Sequence, residues 1–107
     1  MIYLVDTIEV DPADLVRYVG VLEGEMVPLM LRAGATFEHC RTTDPDLGQP
    51  VTVQIAWSFA DLPAWNVIRR NLVLDPGWYA CAEVLAALRR DGTRRFYRTA
   101  PPAADLT

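Results

Sequence analysis

His39 is the side chain of this sequence best suited to move a proton near neutral pH. It is the only histidine among 107 residues, and histidine is the side chain that ordinarily exchanges a proton in that range. If Thr43 and Pro50 bracket a hairpin turn, simple antiparallel pairing places His39 opposite Gln54 and Arg41 opposite Thr52. This pairing predicts a polar cluster in which His39 is a general base assisted by Arg41. A register slip pairs His39 with Ile55 instead, and a hydrogen-bonded strand histidine without catalytic role is the alternative.

Asp6 is the second residue with a chemical signature. It lies in a strand-like run with Leu4 and Ile8, where an unpaired carboxylate is costly to bury. It therefore needs a partner. We predict one of three roles for Asp6. It is a catalytic base, or it orients His39, or it forms a structural salt bridge to Arg95 or Arg98 on a neighbouring strand.

Other chemistries find less support. Ser58 is the only serine, but no sharp glycine-flanked turn exposes it, which disfavours a triad with His39 and Asp6. One histidine with scattered carboxylates lacks the spacing of a metal site, so we predict no metal and no organic cofactor. All ten basic residues are arginine, which excludes a Schiff-base lysine.

Several large side chains are available to line a pocket for a hydrophobic molecule. The predicted ligand-binding residues are Gln54, Trp57, Tyr3, Trp65 and Met26. The alternative for the aromatic and methionine residues is the core or a dimer interface. Trp57 is the strongest candidate for stacking against a ligand.

Periodicity and turn signals define the elements that would hold these residues. The predicted elements are a strand over 2–10, a helix over 15–33 kinked by Pro28, strands over 35–43 and 51–59, a helix from Asp61 broken at 75–77 and resuming over 78–90, and a strand over 93–99. Gly34 and Gly92 are predicted to end the helices that precede them.

The order β-α-β-β-α-β predicts an α+β, ferredoxin-like domain, an antiparallel sheet with its helices on one face. The other sheet face is then bare, and a second copy of the sheet would cover it to form a dimeric α/β barrel. Residues 1–100 form the predicted single domain, and residues 101–107 a short C-terminal tail.

The composition of the chain limits the classes of partner that it is expected to bind. The formal net charge is −4, which argues against nucleic acid. No apolar run approaches the roughly 18 residues of a membrane span, so we predict no membrane partner and a cytoplasmic location. Cys40 and Cys81 form no close-spaced motif and are predicted to be buried, reduced thiols.

Three motifs in this order resemble the dimeric α/β-barrel superfamily, and within it the NIPSNAP-like proteins. They are the first-helix end Met26-Val27-Pro28-Leu29-Met30-Leu31-Arg32-Ala33-Gly34-Ala35, the junction Trp57-Ser58-Phe59-Ala60-Asp61-Leu62, and Leu74-Asp75-Pro76-Gly77-Trp78. The family pattern usually has Arg and Tyr late in the first strand, where this sequence has Asp6 and Ile8.

The resemblance implies a homodimer that holds a small hydrophobic molecule. The wider superfamily includes cyclases, isomerases and cofactor-free oxygenases, so it suggests a cofactor-independent enzyme. Such an enzyme would act by proton transfer on a carbonyl-bearing or polycyclic substrate held in a cavity between sheet and helices, with His39, Asp6 and Arg41 as catalytic residues. The alternative is a non-catalytic dimeric module that binds a ligand or a partner protein.

Overall fold

A computed structural model of the chain describes residues 1–48 and 50–100. The predicted tail at 101–107 lies outside the described residues. The strands are β1 (Ile2–Val10), β2 (Thr36–Thr42), β3 (Thr52–Phe59) and β4 (Arg89–Arg98). The α-helices are α1 (Leu15–Val21), α2 (Val27–Ala33), α3 (Leu62–Leu74) and α4 (Trp78–Leu88), and short 3-10 turns cover Pro12–Asp14 and Pro45–Leu47. None of the described helices has the length and hydrophobicity needed to cross a bilayer.

The four strands form one antiparallel sheet in the order β2-β3-β1-β4. This is the ferredoxin-like arrangement, so the predicted fold class is confirmed. Its central pair, β1 and β3, is joined from Ile2 opposite Phe59 to Glu9 opposite Thr52. Because β1 and β3 are the inner strands, their helix-facing side chains form the middle of the core.

The first helical region is continuous but changes its turn geometry. Between α1 and α2, the residues Leu22–Met26 adopt π-helical turns. Pro28 follows them and has no backbone N–H to donate to the carbonyl of Gly24. The π-helical turns therefore lie next to the kink that the sequence predicted at Pro28. The region ends as predicted at Gly34, whose φ of 116° is a conformation that favours glycine.

The second helical region starts and breaks as the sequence predicted, but it ends differently. Asp61 caps α3, its Oδ1 accepting a hydrogen bond from the Ala64 N–H at 2.8 Å. The last helix ends at Leu88 rather than Arg90, and Gly92 lies inside β4 instead of closing the helix. A Cβ at residue 92 would approach Ile8 Cδ1 to 2.7 Å, so the glycine leaves room for Ile8 to pack under the edge strand.

The two faces of the sheet have different environments. Alternation along β1 sends Ile2, Leu4, Ile8 and Val10 to the helix side, where all four are buried. Tyr3, Val5 and Thr7 point to the other side, where no helix covers them. The helix side contains the core and the cavity described below, whereas the helix-free face is available to a second molecule.

Candidate functional site

A cavity of about 550 Å³ lies between the helix-facing side of the sheet and the helices. This volume falls within the roughly 300–1,000 Å³ range of ligand pockets. The apolar wall includes Ile8, Leu22, Met26, Met30, Ile55, Trp57, Trp65, Leu72, Trp78 and Leu85. The lining has few polar groups. Because the rest of the wall is apolar, these polar groups would set the orientation of a ligand.

Asp6 and Arg94 form an ion pair in the wall of this cavity. Arg94 Nε donates to Asp6 Oδ1 at 2.8 Å and Arg94 Nη2 donates to Asp6 Oδ2 at 3.1 Å. The two residues are direct neighbours across β1 and β4, so this register explains why the partner is Arg94. The predicted alternatives, Arg95 and Arg98, were wrong: Arg95 lies opposite Val5 and Arg98 opposite Ile2.

An aromatic cluster supports the guanidinium of Arg94. Its Cζ lies 5.9 Å from the ring centroid of Trp65, within the range of a cation–π contact. Trp65 itself stacks on Phe59, with centroids 5.3 Å apart, and meets Phe96 edge-on at 5.6 Å. Arg94 is thus oriented by a carboxylate and a ring at once, while its side chain remains half exposed at the cavity.

Tyr18 supplies a neutral hydroxyl group to the same cavity. Its side chain is buried, and among the described residues its hydroxyl has no hydrogen-bond partner. Burial raises the pKa of Tyr18 to about 12, an effect that the Arg89 guanidinium opposes and the Asp6 carboxylate reinforces. The phenol therefore stays protonated and is available as a hydrogen-bond donor to a ligand.

Sequence reasoning missed Tyr18, Arg69 and Arg89 as residues that line one cavity together with Arg94. A signal existed for Tyr18, which lies three residues after Leu15 and four before Leu22 on the apolar stripe of the first helix. The arginines gave no such signal, because only the relative placement of α3, α4 and β4 shows that they meet.

The structure divides the predicted site residues between the two sheet faces. Asp6 lies opposite Ile55, and Ile55 also lies opposite Cys40, so these three share the helix side. His39 precedes Cys40 and lies opposite Ala56, which places it on the helix-free face. Asp6 therefore does not orient His39, and the triad disfavoured above is excluded by the same geometry.

The remaining predictions follow the same division. Trp57, Trp65 and Met26 line the cavity with Asp6. Arg41, Gln54 and Tyr3 belong to the helix-free face with His39. The predicted pairing was wrong by two residues, since Arg41 rather than His39 lies opposite Gln54.

A β-bulge at Glu38 explains the shifted register. Phe37 lies opposite Trp57 and His39 lies opposite Ala56, so Glu38 is an extra residue in β2. The bulge brings the Glu38 carboxylate to the helix-free face, where it accepts a hydrogen bond from the Ser58 hydroxyl. His39 Nδ1 is buried beside them without a hydrogen-bond partner among the described residues.

Both cysteines are free thiols. Burial raises the pKa of both thiols. Glu23 raises the pKa of Cys40 further, and Glu25 does the same for Cys81. The prediction of burial is confirmed for Cys81, whereas Cys40 is only half-buried. A raised pKa lowers the fraction of each thiol that is present as the reactive thiolate.

We expect Cys81 in the folded protein to react with Ellman's reagent at pH 8 at least about 10-fold more slowly than Cys40, because the reagent must reach a buried thiol. The single variants Cys40→Ala and Cys81→Ala isolate each thiol for measurement of its rate. Both thiols should react rapidly in guanidinium. Equal rates in the folded protein would contradict the burial of Cys81.

Among residues 1–48 and 50–100, no three His, Cys, Asp or Glu side chains come together as a metal site requires. The chemistry available to the cavity residues described here is thus that of a carboxylate, guanidinium groups and a phenol. These groups bind and orient a polar atom, accept a proton and stabilise a negative charge.

Solved structures with this fold include proteins of the family that the motifs resemble. A NIPSNAP domain protein from Burkholderia xenovorans is 19% identical, with a TM-score of 0.80 and 96% of each chain covered. A NIPSNAP family protein from Agrobacterium tumefaciens is 18% identical, with a TM-score of 0.79 and 92% of each chain covered. SnoaB, a cofactor-independent oxygenase from Streptomyces nogalater, is 16% identical, with a TM-score of 0.60 and 95% of each chain covered.

These likenesses confirm the resemblance at the level of the fold. The chain has the ferredoxin-like α+β fold that it shares with a NIPSNAP domain protein, an antibiotic biosynthesis monooxygenase and SnoaB. No protein-family model matches the sequence, and no curated protein matches it either. The activity therefore has to be argued from the cavity.

Proposed function

We propose that the cavity binds a small molecule with a hydrophobic, ring-containing body and a carbonyl group, and that the protein acts on it by proton transfer. Neither a metal nor an organic cofactor takes part in this proposal. The observation that carries it is the Asp6–Arg94 ion pair in the wall of an otherwise largely apolar cavity. A carboxylate and a guanidinium side by side are the minimum set for removing a proton next to a carbonyl.

In the proposed step, one oxygen of the Asp6 carboxylate takes a proton from the carbon next to the carbonyl. The electron pair of that C–H bond becomes the C=C bond of an enolate, the π pair of the carbonyl moves to its oxygen, and the Arg94 guanidinium stabilises this negative oxygen. Return of the proton from Asp6 to a different carbon gives an isomer. Attack of the enolate carbon on a second carbonyl closes a ring, and the new alkoxide takes the proton from Asp6. In the third outcome dioxygen is the oxidant: it accepts two electrons from the enolate, forms a C–O bond as a peroxide, and the peroxide takes the proton from Asp6. SnoaB is described as a cofactor-independent oxygenase.

The proposal moves the base from His39 to Asp6. His39 and Arg41 point away from the cavity, so they act on a ligand only if one binds at the helix-free face. Their catalytic role, and the ligand contacts of Gln54 and Tyr3, stay predictions for that face. Trp57, Trp65 and Met26 contact the hydrophobic body of the ligand in the proposal.

We also propose that two copies associate through their helix-free sheet faces to form the dimeric barrel. This face includes Tyr3, Val5 and Thr7 on β1, which are half-buried in the single chain, and pairing two copies would bury these side chains further from water. The unpartnered His39 Nδ1 lies on the same face, where a second copy offers additional hydrogen-bonding groups. The resemblance of the sequence motifs to the dimeric α/β-barrel superfamily supports this arrangement.

The second candidate function is binding without catalysis. It is favoured by one observation, the two hydrogen bonds from Arg94 that already satisfy the Asp6 carboxylate. In that case, Asp6 holds Arg94 in place for ligand binding and never accepts a proton. The two functions differ in what the Asp6 carboxylate does once a ketone is bound.

We expect Asp6→Asn to slow proton exchange at the carbon next to the carbonyl of 2-tetralone, a bicyclic ketone, by about 100-fold. The amide cannot accept the proton but has nearly the same shape. The measurement follows deuterium incorporation by NMR in D₂O, with and without protein, and ketone binding is followed by isothermal titration calorimetry.

The matched control is Asp11→Asn, because Asp11 also pairs with an arginine, Arg90 at 2.9 Å, but outside the cavity. This control should keep the exchange rate of the unmodified protein. Binding of 2-tetralone without protein-dependent exchange would favour the binding module. A protein that neither binds the ketone nor accelerates exchange would contradict both functions of the cavity.

A further inference from the structure

We infer that Arg89 and Tyr18 form an anion subsite in the cavity, so that the ligand carries a carboxylate in addition to its hydrophobic body. This inference rests on the proposed binding function and names the class of ligand more closely. It is independent of whether Asp6 acts as a base.

The charge balance of the cavity is the first support. The whole chain is acidic, with a formal net charge of −4, yet the ionic residues lining the cavity are one aspartate, Asp6, and three arginines, Arg69, Arg89 and Arg94. Asp6 is neutralised by Arg94. Arginine thus outnumbers acidic residues among the described residues of this cavity, and its apolar wall strengthens the attraction of the arginines for an anion.

The availability of Arg89 is the second support. The ion pairs among the described residues join Arg32 to Asp75, Arg90 to Asp11 and Arg94 to Asp6, and none uses Arg89 or Arg69. Neighbouring residues therefore differ in role: Arg90 is paired on the outside, whereas Arg89 lines the cavity with its guanidinium unpaired.

The position of Tyr18 singles out Arg89 from Arg69. Tyr18 and Arg89 line the same cavity, and the Arg89 guanidinium opposes the rise in the pKa of the Tyr18 phenol. The Tyr18 hydroxyl has no hydrogen-bond partner among the described residues. A guanidinium and a neutral hydroxyl in one cavity wall match the two acceptor oxygens of a carboxylate. Among the described residues, Asp6 is the only carboxylate that lines the cavity, and its hydrogen bonds to Arg94 leave Arg89 and Tyr18 to the ligand.

The ligand class that follows is an aromatic or alicyclic carboxylic acid, in its ionised form, with its ring body against Trp57, Trp65 and Met26. A ring-bearing keto acid would place its carboxylate at Arg89 and its carbonyl at Arg94. The bulk charge of the protein would repel such an anion weakly, so the preference depends on the local pair rather than on the net charge.

The test compares two ligands of nearly equal shape, 2-naphthoate and its neutral amide, 2-naphthamide, by isothermal titration calorimetry. We expect the unmodified protein to bind the carboxylate at least about 10-fold more tightly, the range of a hydrogen bond to a charged group. Arg89→Gln should bring the two affinities within about threefold of one another, and Tyr18→Phe should reduce the preference in part.

Arg90→Gln is the matched control, because it removes the same charge from the adjacent residue, whose side chain is exposed and paired with Asp11. It should keep the preference, with a circular dichroism spectrum like that of Arg89→Gln. Equal binding of both ligands by the unmodified protein would overturn the anion subsite and leave the cavity proposal standing. Equal losses in both arginine variants would overturn it too, and binding of neither ligand would overturn the cavity proposal as well.

Discussion

Replacing Val5 by arginine should convert a dimer of this protein into a monomer, with the dissociation constant raised at least about 1000-fold. Val5 lies on the inner strand β1 of the helix-free face, opposite Ala56 on β3 and Arg95 on β4. Val5 is only half-buried in the single chain, so an arginine there can project out of the sheet in the monomer. In the proposed dimer, two guanidinium groups would be buried without acidic partners, and uncompensated buried charge costs several kcal/mol.

Analytical ultracentrifugation at micromolar protein measures the change directly. Val16→Arg is the control, since Val16 is 85% exposed on α1, on the helix side of the sheet; this variant should remain dimeric. A monomeric unmodified protein would disprove the dimeric barrel. A dimer that survives Val5→Arg would show that two copies associate through another surface.

The elements of the fold were predictable because local signals agree with one another. Alternating apolar residues mark β1 and β3, Asp61 with Pro63 marks the start of α3, and Gly34 marks the end of α2. The end of α4 was predicted two residues late because Arg89 and Arg90 suit a helix end as well as a strand. Pairing of β4 with β1 places both arginines in the strand, and the two strands are far apart in sequence.

The site was less predictable, because it depends on faces and register. A single inserted residue, Glu38, shifts the pairing of β2 with β3, and no local signal marks a bulge without glycine. The choice of Arg94 as the partner of Asp6 likewise depends on the β1–β4 register. Asp6 was identified because an acidic residue in an apolar strand conflicts with its surroundings, a conflict often found at functional sites.

Leu4→Ala should have the largest effect on stability, a loss of about 2–5 kcal/mol in the free energy of unfolding. Leu4 has no exposed surface and lies on an inner strand, opposite Trp57 on β3 and Phe96 on β4. The backbone of β1 is fixed by hydrogen-bonded neighbours on both sides, so the sheet cannot collapse into the space that the deletion leaves.

Urea unfolding followed by circular dichroism measures this loss, at one fixed protein concentration because dimer dissociation is linked to unfolding. The control Val16→Ala also shortens an aliphatic side chain, but an exposed one, and should change the free energy by less than about 0.5 kcal/mol. Because Leu4 lies on the helix side, its loss should lower stability without lowering the affinity between folded copies. Val5→Arg should do the reverse, because Val5 is only half-buried in the single chain. The two variants together therefore separate the core face of the sheet from the face that we propose is shared between copies.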